Sequence, residues 1–328
     1  MPISWAGFIE TVAASRRFLL TSHVRPDCDA LGSELGLAHI LESLGKDVLI
    51  VNADATPPNL AFIDPDHRIR QLGREIQAAE LESREVILVL DTSAWLQLGA
   101  MGQLLRALPG RRIVIDHHVS EDDLGATSFK DPTAEATGRL VVEAADQLGA
   151  ALTPAAAAPL FAALATDTGW FRFPSTSGRT YELAARLVDA GADPARIYAQ
   201  LYEQDTLGRV KLRGVILSRV VSECQGRLVH TYVRRADFEA TGSVPSDTED
   251  VINMTLQIAG AQFAVICVEL AGGTAVKISF RSRCALDCSA IAAEFGGGGH
   301  RAAAGATVPG PLETAQSRVL DRVRQLLA

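Results

Sequence analysis

The stretch SHVRPDCDALGS, residues 22–33, follows the apolar run RRFLL and leads into a segment of helical character. It places His23, Asp27 and Asp29 on one short loop between a strand and a helix. Crowded like charges repel, and each carboxylate costs desolvation energy once the loop is covered. A fold alone gives no reason for this arrangement, whereas a dication does. Extended backbone over residues 27–29 sends Asp27 and Asp29 to one side and Cys28 to the other. The alternative is that the two aspartates cap a helix starting near Ala30.

The same strand-to-helix alternation continues outward. RFLLTSHV, KDVLIVNAD, REVILVLDTS and RRIVIDHH read as strands, with DALGSELGLAHILESLG and WLQLGAMGQLLRAL as helices between them. Such alternation predicts βαβ units and a parallel sheet with helices on both faces. The best strands end in ligand-type residues: Asp27 and Asp29 after the first, Asp91 closing VILVLD, and Asp116, His117 and His118 closing IVIDHH. Ligands of open α/β sheets bind outside the carboxyl ends of strands, so these ends point to one crevice. For Asp91 a turn or cap with Thr92 and Ser93 is the alternative. An Asp-His-His run at a strand end favours metal or phosphate chemistry. Residues 133–190 read as helical, with Gly149, Gly169 and Gly191 as stops and Asp167 at an element end in LATDTGWF.

The chain is thus expected to be α/β throughout. Residues 1–190 form an N-terminal parallel-sheet domain and residues 191–215 a helical connector. Residues 216–328 form a smaller α/β C-terminal domain. In the connector, Asp193-Pro194 is a helix start, and Gly208 and Gly214 are breaks. In the C-terminal domain the pattern is strand, helix, strand, strand, helix, with a hairpin turn at Gly272-Gly273. It closes on GGGGHRAAAG, residues 296–305, where glycines after a helix suggest backbone amides brought close to an anion.

Composition narrows the function. With 328 residues, 48% of them hydrophobic, the chain can bury two cores. Its net charge of -8 argues against holding long nucleic acid through many phosphate contacts. The N-terminus lacks a secretory pattern and the apolar runs are too short to span a bilayer, so a cytoplasmic location is expected. Five scattered cysteines suggest no disulfide framework, and Cys284 and Cys288 lack the second pair that a zinc site needs.

Taken in order, SHVRPDCDA, LDTS, DHH and ATDTG resemble the four motifs of the DHH phosphoesterase superfamily, and KISFRSR followed by FGGGGHRAAAG resembles its associated C-terminal domain. The resemblance runs over nearly the whole chain. Within the superfamily, the length and the absence of membrane or sensory segments resemble the nanoRNase branch. Cys28 departs from the glycine common at that position.

The resemblance implies two manganese ions, with magnesium or cobalt as substitutes. His23, Asp27 and Asp91 hold the first, and Asp29, Asp91, His117 and Asp167 the second, with Asp91 bridging. Asp116 orients His117, and His118 lies beside the scissile phosphate. Arg281, Gly297, Gly298, Gly299, His300 and Arg301 contact the terminal nucleotide or phosphate. Two dications cancel four carboxylate charges, and oxygen-rich ligation with two histidines suits manganese better than structural zinc. The implied activity is hydrolysis of very short oligoribonucleotides or linear dinucleotides to nucleoside 5'-monophosphates, with adenosine 3',5'-bisphosphate as a second substrate. If the domains face each other across the connector, the glycine run limits substrate length. A homodimer is compatible with this; long nucleic acid and membrane are not expected partners. The rivals are a small-molecule phosphatase or pyrophosphatase of the same superfamily, and a nucleotide-binding sensor that has lost catalysis. Such a pyrophosphatase would not be expected to carry the glycine-rich stretch, and such a sensor should lack a ligand.

Overall fold

A computed structural model describes residues 3–120 and 122–327. It divides into two compact units, the first ending at Gln204 and the second beginning at Asp205, inside the segment expected as connector.

The first unit runs α1 (Ala6–Ala14), β1 (Arg17–Thr21), α2 (Cys28–Ser43), β2 (Asp47–Asn52), β3 (Ile69–Gln71), β4 (Val86–Leu90), α3 (Gly99–Ala107), β5 (Arg111–Asp116), β6 (Thr127–Lys130), α4 (Thr137–Leu148), α5 (Pro154–Asp167), α6 (Gly178–Asp189) and α7 (Pro194–Tyr202). Its strands form one parallel sheet in the order β3-β2-β1-β4-β5-β6. Side chains alternate across it. Phe18, Leu20, Leu88, Leu90, Ile113 and Ile115 join one core with α1, α2, α4 and α5, while Leu19, Ile87, Val89 and Val114 join another with α3. Both faces are covered, which is why these strands read as continuous apolar runs. The chain reverses direction across the sheet between β1 and β4, and loops leaving such neighbours open a crevice at the strands' carboxyl ends. Strands β3 and β6 were not among the expected ones, because IRQ and TSFK carry little apolar signal.

Helix α2 begins at Cys28, two residues before the expected start, with Asp27 as its N-cap accepting from the amides of Asp29 and Ala30. Extended backbone across residues 27–29 is therefore corrected: Cys28 and Asp29 are already helical. Along α2, Gly32 and Gly36 meet α5. A Cβ on Gly32 would lie 2.4 Å from the Pro159 carbonyl oxygen, and one on Gly36 would lie 2.4 Å from Leu160. Only hydrogen at these positions lets α2 approach α5 this closely, and the two helices carry Asp29 and Asp167 at their site ends.

The second unit contains α8 (Leu207–Ser218), β7 (Val221–Glu223), β8 (Leu228–Val233), α9 (Arg235–Thr241), α10 (Val251–Thr255), β9 (Phe263–Glu269), β10 (Ala275–Ser282), α11 (Cys288–Ala293), β11 (Gly298–His300), β12 (Ala303–Pro309) and α12 (Leu312–Leu327). Its sheet has the order β11-β12-β10-β9-β8-β7, antiparallel except between β8 and β9. Gly208 and Gly214 lie inside α8 and do not break it. The helical run is interrupted earlier, before Thr206 caps α8. In the glycine run, Gly296 and Gly297 lie in the turn after α11, and Gly298 and Gly299 belong to an edge strand.

Candidate metal centre

The loops leaving β1, β4 and β5 and the end of α5 bring seven of the expected residues together. The His23 Nε2 atom lies 3.9 Å from Asp27 Oδ1 and 3.4 Å from Asp91 Oδ2. The His117 Nε2 atom lies 3.8 Å from Asp29 Oδ2, 3.5 Å from Asp91 Oδ1 and 3.6 Å from Asp167 Oδ2. Asp91 thus turns one oxygen toward each histidine. Three overlapping groups can hold an ion: His23, Asp27 and Asp91; Asp29, His117 and Asp167; and Asp91, His117 and His118; in each, the donor atoms lie within 4.8 Å of one another. His118 also reaches Asp91, with Nδ1 3.8 Å from Oδ1. The backbone of Asp91 is left-handed, at φ 59°, a conformation that aspartate tolerates better than most residues and that recurs at functional sites.

Asp27 serves both alternatives raised by the sequence: its Oδ1 caps α2 and is also the oxygen nearest His23. Asp29 is buried and held by neighbours that the sequence did not flag. Its Oδ2 accepts from the Thr137 amide at 2.7 Å, and its Oδ1 from the Gly138 amide at 2.9 Å and the Ser33 hydroxyl at 3.2 Å. Thr137 also donates its hydroxyl to Asp91 Oδ1 at 2.9 Å. The first turn of α4 therefore orients two carboxylates at once, and no motif-like spacing links it to them in the sequence.

Asp116 differs from expectation. Its Oδ1 accepts from Nδ1 of His118 at 2.8 Å and from the His118 amide at 3.0 Å, whereas Nδ1 of His117 faces the Ala134 carbonyl at 3.1 Å. The carboxylate orients His118, not His117, because the loop folds His118 back over it. Burial raises the Asp116 pKa, but hydrogen bonds from the His118 ring and amide and from Ser93 outweigh burial and hold it at about 2. The hydrogen bond to Asp116 in turn pushes His118 up.

The other carboxylates are not at ease as a bare cluster. Burial, then the charges of Asp29 and Asp27, push Asp91 well above the usual range, and burial also raises Asp29. Burial and the charge of Asp29 bring Asp167 up to about 6. Carboxylates that resist ionisation together, beside two imidazoles, are a donor set that a pair of dications neutralises, so these residues fit the implied metals. Cys28 is no part of this set: its thiol is buried in the core and pushed up to about 12, chiefly by desolvation.

In the second unit, Arg281 and His300 are both cross-strand partners of Ala303, so the three share one face of the sheet. The next row on that face is Gly298, Gly305 and Ser279, giving a floor of small residues beside a guanidinium and an imidazole. Arg301 donates to the Ala285 carbonyl at 3.3 Å, and Arg283 is tied to the Leu256 carbonyl at 2.7 Å. Gly297 and Gly299 have an internal reason to be glycine. A Cβ there would lie 2.1 Å from the Gly305 oxygen and 2.6 Å from the Ala304 Cα, respectively, whereas one on Gly298 meets nothing within 4 Å.

Family models match twice: the N-terminal domain of the DHH family over residues 17–166 and the DHHA1 domain over residues 226–328. The chain is similar to the bifunctional oligoribonuclease and PAP phosphatase NrnA of Thermus thermophilus, 31% identical over 313 residues that cover 94% of this chain and 89% of that one. The Bacillus subtilis protein of the same name is 27% identical over 304 residues, 92% of each chain. Among solved structures, an exopolyphosphatase-related protein from Bacteroides fragilis superimposes with a TM-score of 0.84 at 28% identity, over 99% of this chain and 98% of that one. With the strand-end cluster, the helices that orient it and these matches in view, the chain belongs to the DHH family of phosphoesterases and carries a C-terminal DHHA1 domain.

Proposed function

We propose that the protein hydrolyses very short oligoribonucleotides and linear dinucleotides to nucleoside 5'-monophosphates, and adenosine 3',5'-bisphosphate to AMP. The observation that carries this is the Asp91 carboxylate, whose two oxygens face His23 and His117 and so join the two donor groups into one centre. The relatives named as oligoribonuclease and PAP phosphatase supply the substrate class.

His23, Asp27 and Asp91 hold one manganese ion, and Asp29, Asp91, His117 and Asp167 the other, with magnesium or cobalt as substitutes. When bound, such a pair supplies Lewis-acid polarisation of a phosphoryl oxygen and acidifies an attacking water. Thr137, Gly138 and Ser33 keep Asp29 and Asp91 turned toward the centre. Asp116 accepts a hydrogen bond from Nδ1–H of His118, leaving Nε2 of this half-exposed ring to face the scissile phosphate. On the DHHA1 domain, Arg281 and His300 flank a floor of small residues, Gly298 among them, on which a terminal nucleotide or phosphate can lie, and Gly299 and Arg301 border it.

The test is a panel of 5'-labelled oligoribonucleotides of increasing length with the manganese-loaded protein, alongside adenosine bisphosphate, pyrophosphate and polyphosphate. Turnover should be fastest on the shortest oligonucleotides and fall steeply beyond about five nucleotides. A preference for pyrophosphate or polyphosphate would overturn the substrate class.

A further inference from the structure

We propose that Lys130, which lies outside all four motifs, is a positioning residue that clamps the loop carrying both histidines and so sets the His118 ring. This rests on the role given to His118 above. Lys130 ends β6 and is the register partner of Asp116 on β5. Its side chain is 9% exposed, and its ammonium lies 2.7 Å from Ser93 Oγ, 2.9 Å from the Ser120 carbonyl oxygen and 3.2 Å from Asp116 Oδ2. The ammonium donates to Ser93 and Ser120 and is ion-paired with Asp116, so one side chain ties three segments: the loop after β4, the end of β5, and the loop beyond His118.

The geometry divides the work of Asp116 between its oxygens. Oδ2 takes Lys130 and the Ser93 hydroxyl, while Oδ1 takes the ring and amide of His118. The Ser93 hydroxyl has one proton and two acceptors at 2.8 Å, Asp116 Oδ2 and the Ser120 oxygen. Lys130 sits beside both of those acceptors and donates to the Ser93 oxygen as well, so the hydroxyl, the carboxylate and the carbonyl share one ammonium. Lys130 thus holds the loop at its start through Asp116 and near its end through Ser120. The span between needs holding: Val119 is 84% exposed and the His118 side chain 47%. A short chain of residues in water keeps a ring still only if both its ends are fixed.

The experiment compares Lys130→Met and Lys130→Gln, each alone and with His118→Ala. Metal content should stay at the unaltered level, because Ser93, Ser120 and Asp116, which Lys130 holds, are not among the six proposed ligands. With KM unchanged, kcat should fall about 10–100-fold, the usual cost of losing a group that orients a site residue. In the His118→Ala background, adding Lys130→Met should change kcat little. Equal losses in both backgrounds would show that Lys130 does not act through His118 and would overturn the proposal. Nitrogen NMR of the metal-free protein gives a readout separate from turnover: the His118 Nδ1–H signal bonded to Asp116 should weaken in both lysine variants, and its persistence would also overturn the clamp. Should the variants fail to fold, the unaltered protein decides, since a clamped Lys130 ammonium exchanges its protons slowly and a fast-exchanging one refutes the clamp. If His118→Ala alone keeps full turnover, the role of His118 on phosphate fails while the NMR result still judges Lys130.

Discussion

Thr137 places its hydroxyl 2.9 Å from Asp91 Oδ1, making a side chain at the start of α4 the orienting partner of the carboxylate that faces His23 and His117. Outer hydrogen bonds of this kind typically contribute 10–100-fold to metal affinity. Thr137→Val keeps the shape and removes the donor, so manganese affinity measured by calorimetry should fall by about that factor. The Thr137 amide still holds Asp29, so the fold should persist. Unchanged affinity in a folded variant would detach Thr137 from the centre.

Metal removal should lower the melting temperature, because dications bound only by the native state stabilise it by mass action. The metal-free protein should respond to Asp91→Asn in the opposite sense to the loaded one. Without metal the substitution removes a buried carboxylate that burial and its neighbours' charges already penalise, so the melting temperature rises. With metal it removes the proposed shared ligand, so stabilisation by manganese and phosphodiester hydrolysis should both be lost. Scanning calorimetry with and without chelator separates the two effects.

Glu34 should make stability depend on pH. It is fully buried, and desolvation raises it to about 8 from the ordinary 4.5 against hydrogen bonds from Asn52 and Ser22. The folded protein therefore keeps a proton that the unfolded chain releases, and stability falls as pH rises between about 4.5 and about 8. Glu34→Gln should flatten that part of the profile. A variant whose melting temperature keeps the same pH slope would show that Glu34 is not its source.

The glycine run should separate into structural and exposed positions. Gly297→Ala and Gly299→Ala drive a methyl into the backbone of β12 and should destabilise the C-terminal domain by about 1–3 kcal/mol. Gly298→Ala meets open space, so its melting temperature should hold while it raises KM for the dinucleotide. A loss of stability at Gly298 as large as at its neighbours would contradict the assigned strand geometry.

The sequence by itself determined the α/β alternation and the placement of acid and imidazole at strand ends, because both are written locally. An apolar run must be buried, and a charge at its end must lie at the edge of that burial. The same local logic singled out His23, Asp27, Asp29, Asp91, Asp116, His117, His118 and Asp167, and their order exposed the resemblance to a family, which implied the six ligands. Short polar strands such as β3 and β6 left no such trace, and the extended backbone expected at Asp29 gave way to the helix that Asp27 caps. Only the tertiary structure decided who orients whom. Thr137 lies 46 residues from Asp91 and 108 from Asp29, and Lys130 lies 37 from Ser93, so no local pattern could pair them. Asp116 and His118 are two residues apart, but only the course of the loop decides which of the two histidines turns back to the carboxylate. The glycines opposite β12 suggested backbone close to an anion, because the strand that excludes side chains from Gly297 and Gly299 becomes their neighbour only after the sheet has formed. Hydrogen bonds and steric exclusion act over a few ångströms in space, and the chain brings those atoms together only by folding.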